Sequence, residues 1–161
     1  MALSYGTSDI GAHHTRAWTI ARELEEGENW THEQQADLVI YHQTLRPLFD
    51  MLGVCRLPWI ELGLDEHCYA EMYSAVTGKK ATLNDLLERS KHIYNLTRTI
   101  GIEHGLTSKD DLMPPRMTKD PVQSGKLAGR KIDATDYKKL LDIYYQKRGW
   151  DKNGVPPKEK Y

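Results

Sequence analysis

The sequence predicts an all-α fold, a bundle of about five helices with one long irregular loop, spanning residues 1–161 as a single helical domain. Three observations predict it. Apolar residues recur at three- and four-residue spacing in segments divided by Gly and Pro. Two of those segments open on capping-box signatures, Thr31-x-x-Gln34 and Thr82-x-x-Asp85. The period-two alternation of a half-buried strand occurs nowhere.

Ser8 or Asp9 is positioned to cap a first helix reaching about Glu25, with Ala12, Trp18, Ile20, Ala21 and Leu24 as its apolar positions. Gly27 and Asn29 break it. The box at Thr31 begins a long helix through Ala36, Val39, Ile40, Leu45 and Leu48 to about Leu52, with Gly53 as its C-cap. Pro47 lies inside and is expected to kink the helix or end it early, because it lacks an N–H and clashes with the preceding turn. Residues 55–64 read as an apolar connector. Asp65 starts a helix through Cys68, Tyr69, Met72, Ala75 and Val76 to Gly78. Thr82 starts another, carrying Leu83, Leu86, Leu87, Ile93, Tyr94, Leu96 and Ile100. Residues 105–132 show no periodicity, and a structureless loop of that length implies a functional or packing role. Thr135 or Asp133 caps a last helix through Tyr137, Leu140, Leu141, Tyr144 and Tyr145 to Gly149, and an extended tail reaches Tyr161. Leu86, Leu87, Ile93, Tyr94, Leu140 and Leu141 are the expected core.

Composition narrows the function classes. With 22 Lys and Arg against 23 Asp and Glu, the net charge is −1, so no basic excess draws the chain to nucleic acid. Mean hydropathy is −0.65 and no run approaches the length of a membrane helix. The N-terminus lacks the charged start and apolar stretch of a secretory signal. A cytoplasmic location is the expectation. Two cysteines, Cys55 and Cys68, make no disulfide framework and no CxxC. Nine Tyr and four Trp against one Phe suggest surfaces partly buried against something else.

The most informative stretch is Asp50-Met51-Leu52-Gly53-Val54-Cys55. A carboxylate at a helix C-terminus faces the negative end of the dipole, so a compensating donor is expected. A carboxylate can accept two parallel N–H bonds, which matches the amino-pyrimidine edge of a pterin or guanine. Cys55, just beyond the helix, can ligate a soft metal centre. The plainer reading is a surface Asp, a C-cap Gly and a buried Cys. His13 and His14, on the expected first helix, point about 100° apart and so do not share one site. Either can titrate near neutral pH, and a helix-surface pair is the simpler account. Lys79, Lys80, Arg89 and Lys91 read as a solvated face, and Tyr144 and Tyr145 as core.

At Asp50-x-x-Gly53-Val54-Cys55 the chain resembles the C-terminal part of the tungsten-containing aldehyde:ferredoxin oxidoreductases. The resemblance runs along nearly the whole chain, through Ser8-Asp9-Ile10-Gly11-Ala12-His13-His14-Thr15-Arg16-Ala17-Trp18, Ala75-Val76-Thr77-Gly78, Asp110-Asp111-Leu112-Met113-Pro114-Pro115-Arg116 and Tyr144-Tyr145-Gln146-Lys147-Arg148-Gly149-Trp150-Asp151. Each segment alone is weak; their order is fairly specific.

The resemblance implies that Asp50 binds one pterin of a bis-pterin tungsten cofactor, that Cys55 is the fourth ligand of a 4Fe-4S cluster, and that Gly53 and Val54 shape the turn between them. Val54 stands where the family usually has Leu. It further implies that His14, rather than His13 at the variable position, lies near the substrate and orients or protonates the aldehyde oxygen. The implied chemistry is oxidation of an aldehyde to a carboxylate at tungsten or molybdenum, with electrons leaving through the cluster to ferredoxin. The region that holds the other three cluster cysteines in this family has no counterpart here. The chain alone is therefore expected to be metal-free and inactive, and to need a missing N-terminal half or a complementary subunit. The same scaffold in a benzoyl-CoA reductase, or a cofactor-free helical binding module, are the alternatives.

Overall fold

In the computed structural model, which describes residues 1–158, the fold is all-α. Its helices are α1 (Ala2–Gly6), α2 (Ile20–Glu26), α3 (His32–Leu52), α4 (Leu57–Leu62), α5 (His67–Thr77), α6 (Leu83–Glu103), α7 (Pro115–Lys119) and α8 (Ala134–Arg148), with a 3-10 turn at Gly27–Asn29. Four run for eleven residues or more, and no strand occurs among the described residues. Long α3 packs against both α6 and α8.

Both capping boxes form. Thr31 accepts from the Gln34 N–H and Thr82 from that of Asp85, while the Gln34 and Asp85 side chains bond back to the capping residues. Asp133, not Thr135, caps α8, accepting from the Asp136 N–H at 2.8 Å. Pro47 does not end α3, which continues to Leu52, and Pro47 is buried within it.

The expected first helix is the main correction. Residues 8–19 are irregular, and only α1 and α2 flank them. The apolar spacing imitated a helix, but Ala17 is fully buried whereas Trp18 and Leu24 are 49% and 78% exposed. Gly11, at φ 84°, turns the chain where a helix would have to run on. Two smaller corrections follow the same logic. The 55–64 connector contains α4, with Pro58 in its first turn, where a missing N–H costs nothing. Leu87 and Ile93 are half-buried rather than core, while Leu86, Tyr94, Leu140 and Leu141 are buried as expected.

Two apolar clusters share α3. One joins Val39 to Tyr94, Leu141, Tyr144, Tyr145 and Trp150. The other joins Leu45, Leu48 and Phe49 to Tyr69, Leu83 and Leu86. The tyrosine excess is largely spent inside. Tyr94, Tyr137, Tyr144 and Tyr145 are buried, and each hydroxyl donates: to the Thr7 carbonyl, the Asp111 carbonyl, Gln43 Oε1 and Asp111 Oδ2 respectively. Rings with a polar tip let a core close over carbonyls that would otherwise go unpaired.

The expected long loop, residues 105–132, contains the short helix α7 and is ordered by contacts within itself and with α6. Asp111 is 1% exposed and paired with Arg98 of α6. The Ile132 N–H bonds the Met117 carbonyl at 3.0 Å, and Val122 bonds Arg130 at 2.9 Å. Arg98 also donates through Nε to the Gly154 carbonyl at 3.0 Å, drawing the tail onto α6. The end of the expected extended tail, residues 159–161, lies outside the described residues.

Candidate functional site

The site forms where α3 ends. Gly53 takes the left-handed conformation, φ 67° and ψ 29°, which a Cβ would disfavour. Its N–H bonds the Asp50 carbonyl at 3.1 Å and the Val54 N–H bonds the Phe49 carbonyl at 3.0 Å, closing the last turn. The chain reverses, and Cys55 emerges exposed. Its sulfur accepts only a long contact, 3.5 Å, from the Leu57 N–H. The plainer expectation of a buried cysteine therefore fails.

The opposite wall is the irregular loop before α2. Arg16, 9% exposed, donates through Nε to Asp9 at 2.7 Å and through Nη1 to Asp50 Oδ2. Thr97 of α6 also donates to Asp9, at 3.3 Å. Burial pulls the Arg16 pKa down, but the bonds and charges of Asp50 and Asp9 outweigh it and raise the pKa overall. Arg16 thus supplies the donor that Asp50 needs at the negative end of α3.

Arg46 of α3 reaches under the same loop. It is 4% exposed, and its Nη1 donates to the carbonyls of His14 (3.0 Å) and Thr15. Arg56 adds a bond to the Thr15 carbonyl at 3.3 Å. Side chains from 30 or more residues away thereby satisfy backbone groups that a helix would have paired locally. Burial, then the charges of Arg56 and Arg16, lower the Arg46 pKa to about 10. Burial, then Arg46, lower His42 to about 4.

Together these groups line an open pocket of about 340 Å³: Thr15, Arg16, Arg46, Phe49, Asp50, Val54, Cys55, Arg56 and Leu57. Asp50, Val54 and Cys55 are among its walls, and Gly53 makes the turn between them. The His14 ring is not. It stacks on His13 with centroids 4.5 Å apart and an interplanar angle of 19°, and meets Trp18 edge-on at 5.0 Å. The expectation that the two imidazoles diverge by a helical step is thus overturned, because no helix runs there.

Arg46 is the residue that sequence reasoning missed. The available signal was a lone charge inside the apolar run Leu45-Arg46-Pro47-Leu48-Phe49. A charge so placed is buried only when something holds it.

The donor set fits a cofactor only as one wall of its seat. Arg16 occupies one Asp50 oxygen, and the side chain is 65% exposed, open to a further donor. Cys55 can give one thiolate where a 4Fe-4S cluster takes four. Among the described residues no group of three His, Cys, Asp or Glu could hold a metal ion.

Comparison with known proteins identifies the family. Residues 1–161 match the family model described as aldehyde ferredoxin oxidoreductase, domains 2 and 3. The tungsten-containing aldehyde ferredoxin oxidoreductases of Pyrococcus furiosus and Pyrococcus abyssi are each 29% identical, and that of Thermococcus kodakarensis is 28% identical, over 98% of this chain. The chain spans 26% of the length of each. A match that runs from the first residue to the last shows that this all-α chain belongs to the aldehyde ferredoxin oxidoreductase family.

Proposed function

We propose that this chain is one wall of the tungsten–pterin site of an aldehyde-oxidising, ferredoxin-linked enzyme. A missing N-terminal half or a complementary subunit carries the rest. The observation that carries the reading is the convergence of Asp50, Cys55 and the loop following His14 on one pocket, with Arg16 joining its two walls.

In this reading Asp50 accepts from the amino-pyrimidine edge of a pterin with the carboxylate oxygen that Arg16 leaves free. Arg16 keeps that carboxylate aimed. Cys55, exposed beyond the Gly53 turn, gives one of the four cysteine ligands of a 4Fe-4S cluster, and the other three come from the partner. Val54 lies between the two and packs the turn. When bound, the tungsten centre (or molybdenum) supplies the two-electron oxidation of aldehyde to carboxylate, and ferredoxin receives the electrons. His14 orients or protonates the aldehyde oxygen once the partner completes the site; its half-buried ring is steadied by His13 and Trp18.

The test is reconstitution. The chain is co-expressed anaerobically with a polypeptide supplying the remaining three quarters of a family member, and iron, tungsten and the visible spectrum are measured. The expected complex is brown and holds both metals, whereas Cys55→Ser loses the cluster absorption. A complex that assembles its full iron complement with Cys55→Ser overturns the ligand assignment.

A further inference from the structure

The lobe that begins at α7 gathers positive charge. Residues 116–131 carry five cations, Arg116, Lys119, Lys126, Arg130 and Lys131, against Asp120 alone, in a chain whose net charge is −1. All five are exposed, and Arg116, Lys119, Lys126 and Lys131 form no ion pair with a carboxylate among the described residues. Charge concentrated in this way on one lobe attracts a negatively charged surface.

Apolar side chains lie among these charges. Met117, Val122 and Leu127 are 48%, 46% and 53% exposed. With Pro121 and Ile132 they line an open groove of about 920 Å³, flanked by Arg116, Arg130 and Lys131, and Asp120 and Glu23 are the anions in its walls. The groove is held in shape before anything binds. The Val122 N–H donates to the Arg130 carbonyl at 2.9 Å, and the Gly129 N–H to the Val122 carbonyl at 2.8 Å. A surface ordered in advance loses little freedom when a partner arrives.

We propose that this lobe docks an acidic segment of a separate protein, one that presents carboxylates around a few apolar side chains. Nucleic acid fits less well: its phosphates gain nothing from an apolar floor, and residues 116–132 offer its bases no aromatic ring to stack on. A lipid surface takes up apolar side chains that project, whereas these line a groove. The charge density also separates this partner from the remainder of the enzyme, because permanent interfaces are apolar and poor in Lys. A transient partner steered by opposite charge matches instead. None of the groove's side chains lines the pocket at the end of α3, so the inference does not depend on the cofactor reading.

The test titrates the purified chain with the synthetic peptide Glu-Asp-Leu-Glu-Asp-Leu-Glu-Asp, following backbone amide shifts by NMR. Saturable binding is expected, with the Val122, Leu127 and Lys131 amides shifting most, and the affinity should fall as salt is added. Arg116→Glu combined with Lys131→Glu should weaken binding by roughly tenfold. Both side chains are exposed and without an ion pair, so this variant keeps the fold, which far-UV circular dichroism verifies. Leu127→Ser should weaken binding several-fold, a loss that attraction between charges alone would not produce.

The proposal is overturned by an absence of saturation, by unchanged affinity in either folded variant, or by tighter binding of an oligouridylate or of phosphatidylserine vesicles to the same lobe. Concentration-dependent shifts of the same amides in the chain alone would make a second copy the occupant, and would overturn it too. None of these results bears on the Cys55 assignment, which cluster assembly decides separately.

Discussion

Arg98 and Asp111 meet inside the protein through two parallel hydrogen bonds, 2.7 Å from Nη1 to Oδ1 and 2.6 Å from Nη2 to Oδ2. Both side chains are nearly inaccessible, at 6% and 2% exposure. The bidentate pair fixes the long loop to α6, and the Tyr137 and Tyr145 hydroxyls satisfy further Asp111 acceptors.

Removing one member leaves the other charged and buried. Asp111→Ala is expected to destabilise the fold by about 3–5 kcal/mol, measured by urea denaturation. Replacing both, as Arg98→Met with Asp111→Leu, should cost less than the sum of the two single changes. Additive losses would show that the two side chains act independently.

The carboxylates that hold Arg16 differ in the same way. The Asp9 side chain is 4% exposed and that of Asp50 is 65% exposed. Asp9→Asn should therefore cost several times more stability than Asp50→Asn, for which solvent screening holds the loss to about 0–1 kcal/mol. Thermal melts of the two variants check the order.

His42 makes stability depend on pH. Its folded pKa is about 4, below the ordinary 6.5, so between these values the unfolded chain binds the proton more readily. Its contribution is complete above pH 6.5 and declines as pH falls toward 4, by about 3 kcal/mol in all. Urea melts of the native protein and of His42→Gln across that window should converge at acid pH. A constant difference between the two would refute the assignment.

The two cysteines should react at different rates. Cys55 is exposed and Cys68 half-buried. Limiting maleimide, followed by mass analysis of peptides, is expected to label Cys55 first. Because the Cys55 sulfur supports little structure, Cys55→Ser should change stability by no more than about 0.5 kcal/mol.

Gly154 is a close approach of backbone to side chain. At φ 72°, a Cβ there would lie 2.7 Å from both Arg98 Nη2 and the Tyr145 ring. Gly154→Ala should cost at least 1–2 kcal/mol (order of magnitude), since backbone strain and displacement of Arg98 act together. Loss of protection in the 105–132 loop by hydrogen exchange would show the effect passing through Arg98.

Local signals were legible in the sequence. The boxes at Thr31 and Thr82, and the glycines closing α3 and α8, state their own hydrogen bonds within four residues, so the long helices could be read directly. Asp50 and Cys55 could be placed beside each other because Gly53 alone sets their relation. The loop of residues 8–19 could not be read, since Arg46 and Arg56 supply its bonds from far along the chain. The same holds for the order within residues 105–132, which depends on Arg98 finding Asp111. Resemblance assigned His14 to the site, but its ring lies outside the pocket walls, and its stacking on His13 follows from a turn that no periodicity announces.

The enclosed phenols give the protein its own optical gauge. Burial raises the pKa of Tyr94, Tyr137 and Tyr145 above the ordinary 10, with neighbouring charges and bonds adding to the rise at Tyr137 and Tyr145. In alkali these rings hold their protons while the fold lasts, and release them when it opens. Ultraviolet absorbance of tyrosinate should consequently climb in two stages, first from the exposed rings and then abruptly from the enclosed ones, so that one cuvette reports both titration and collapse of the core.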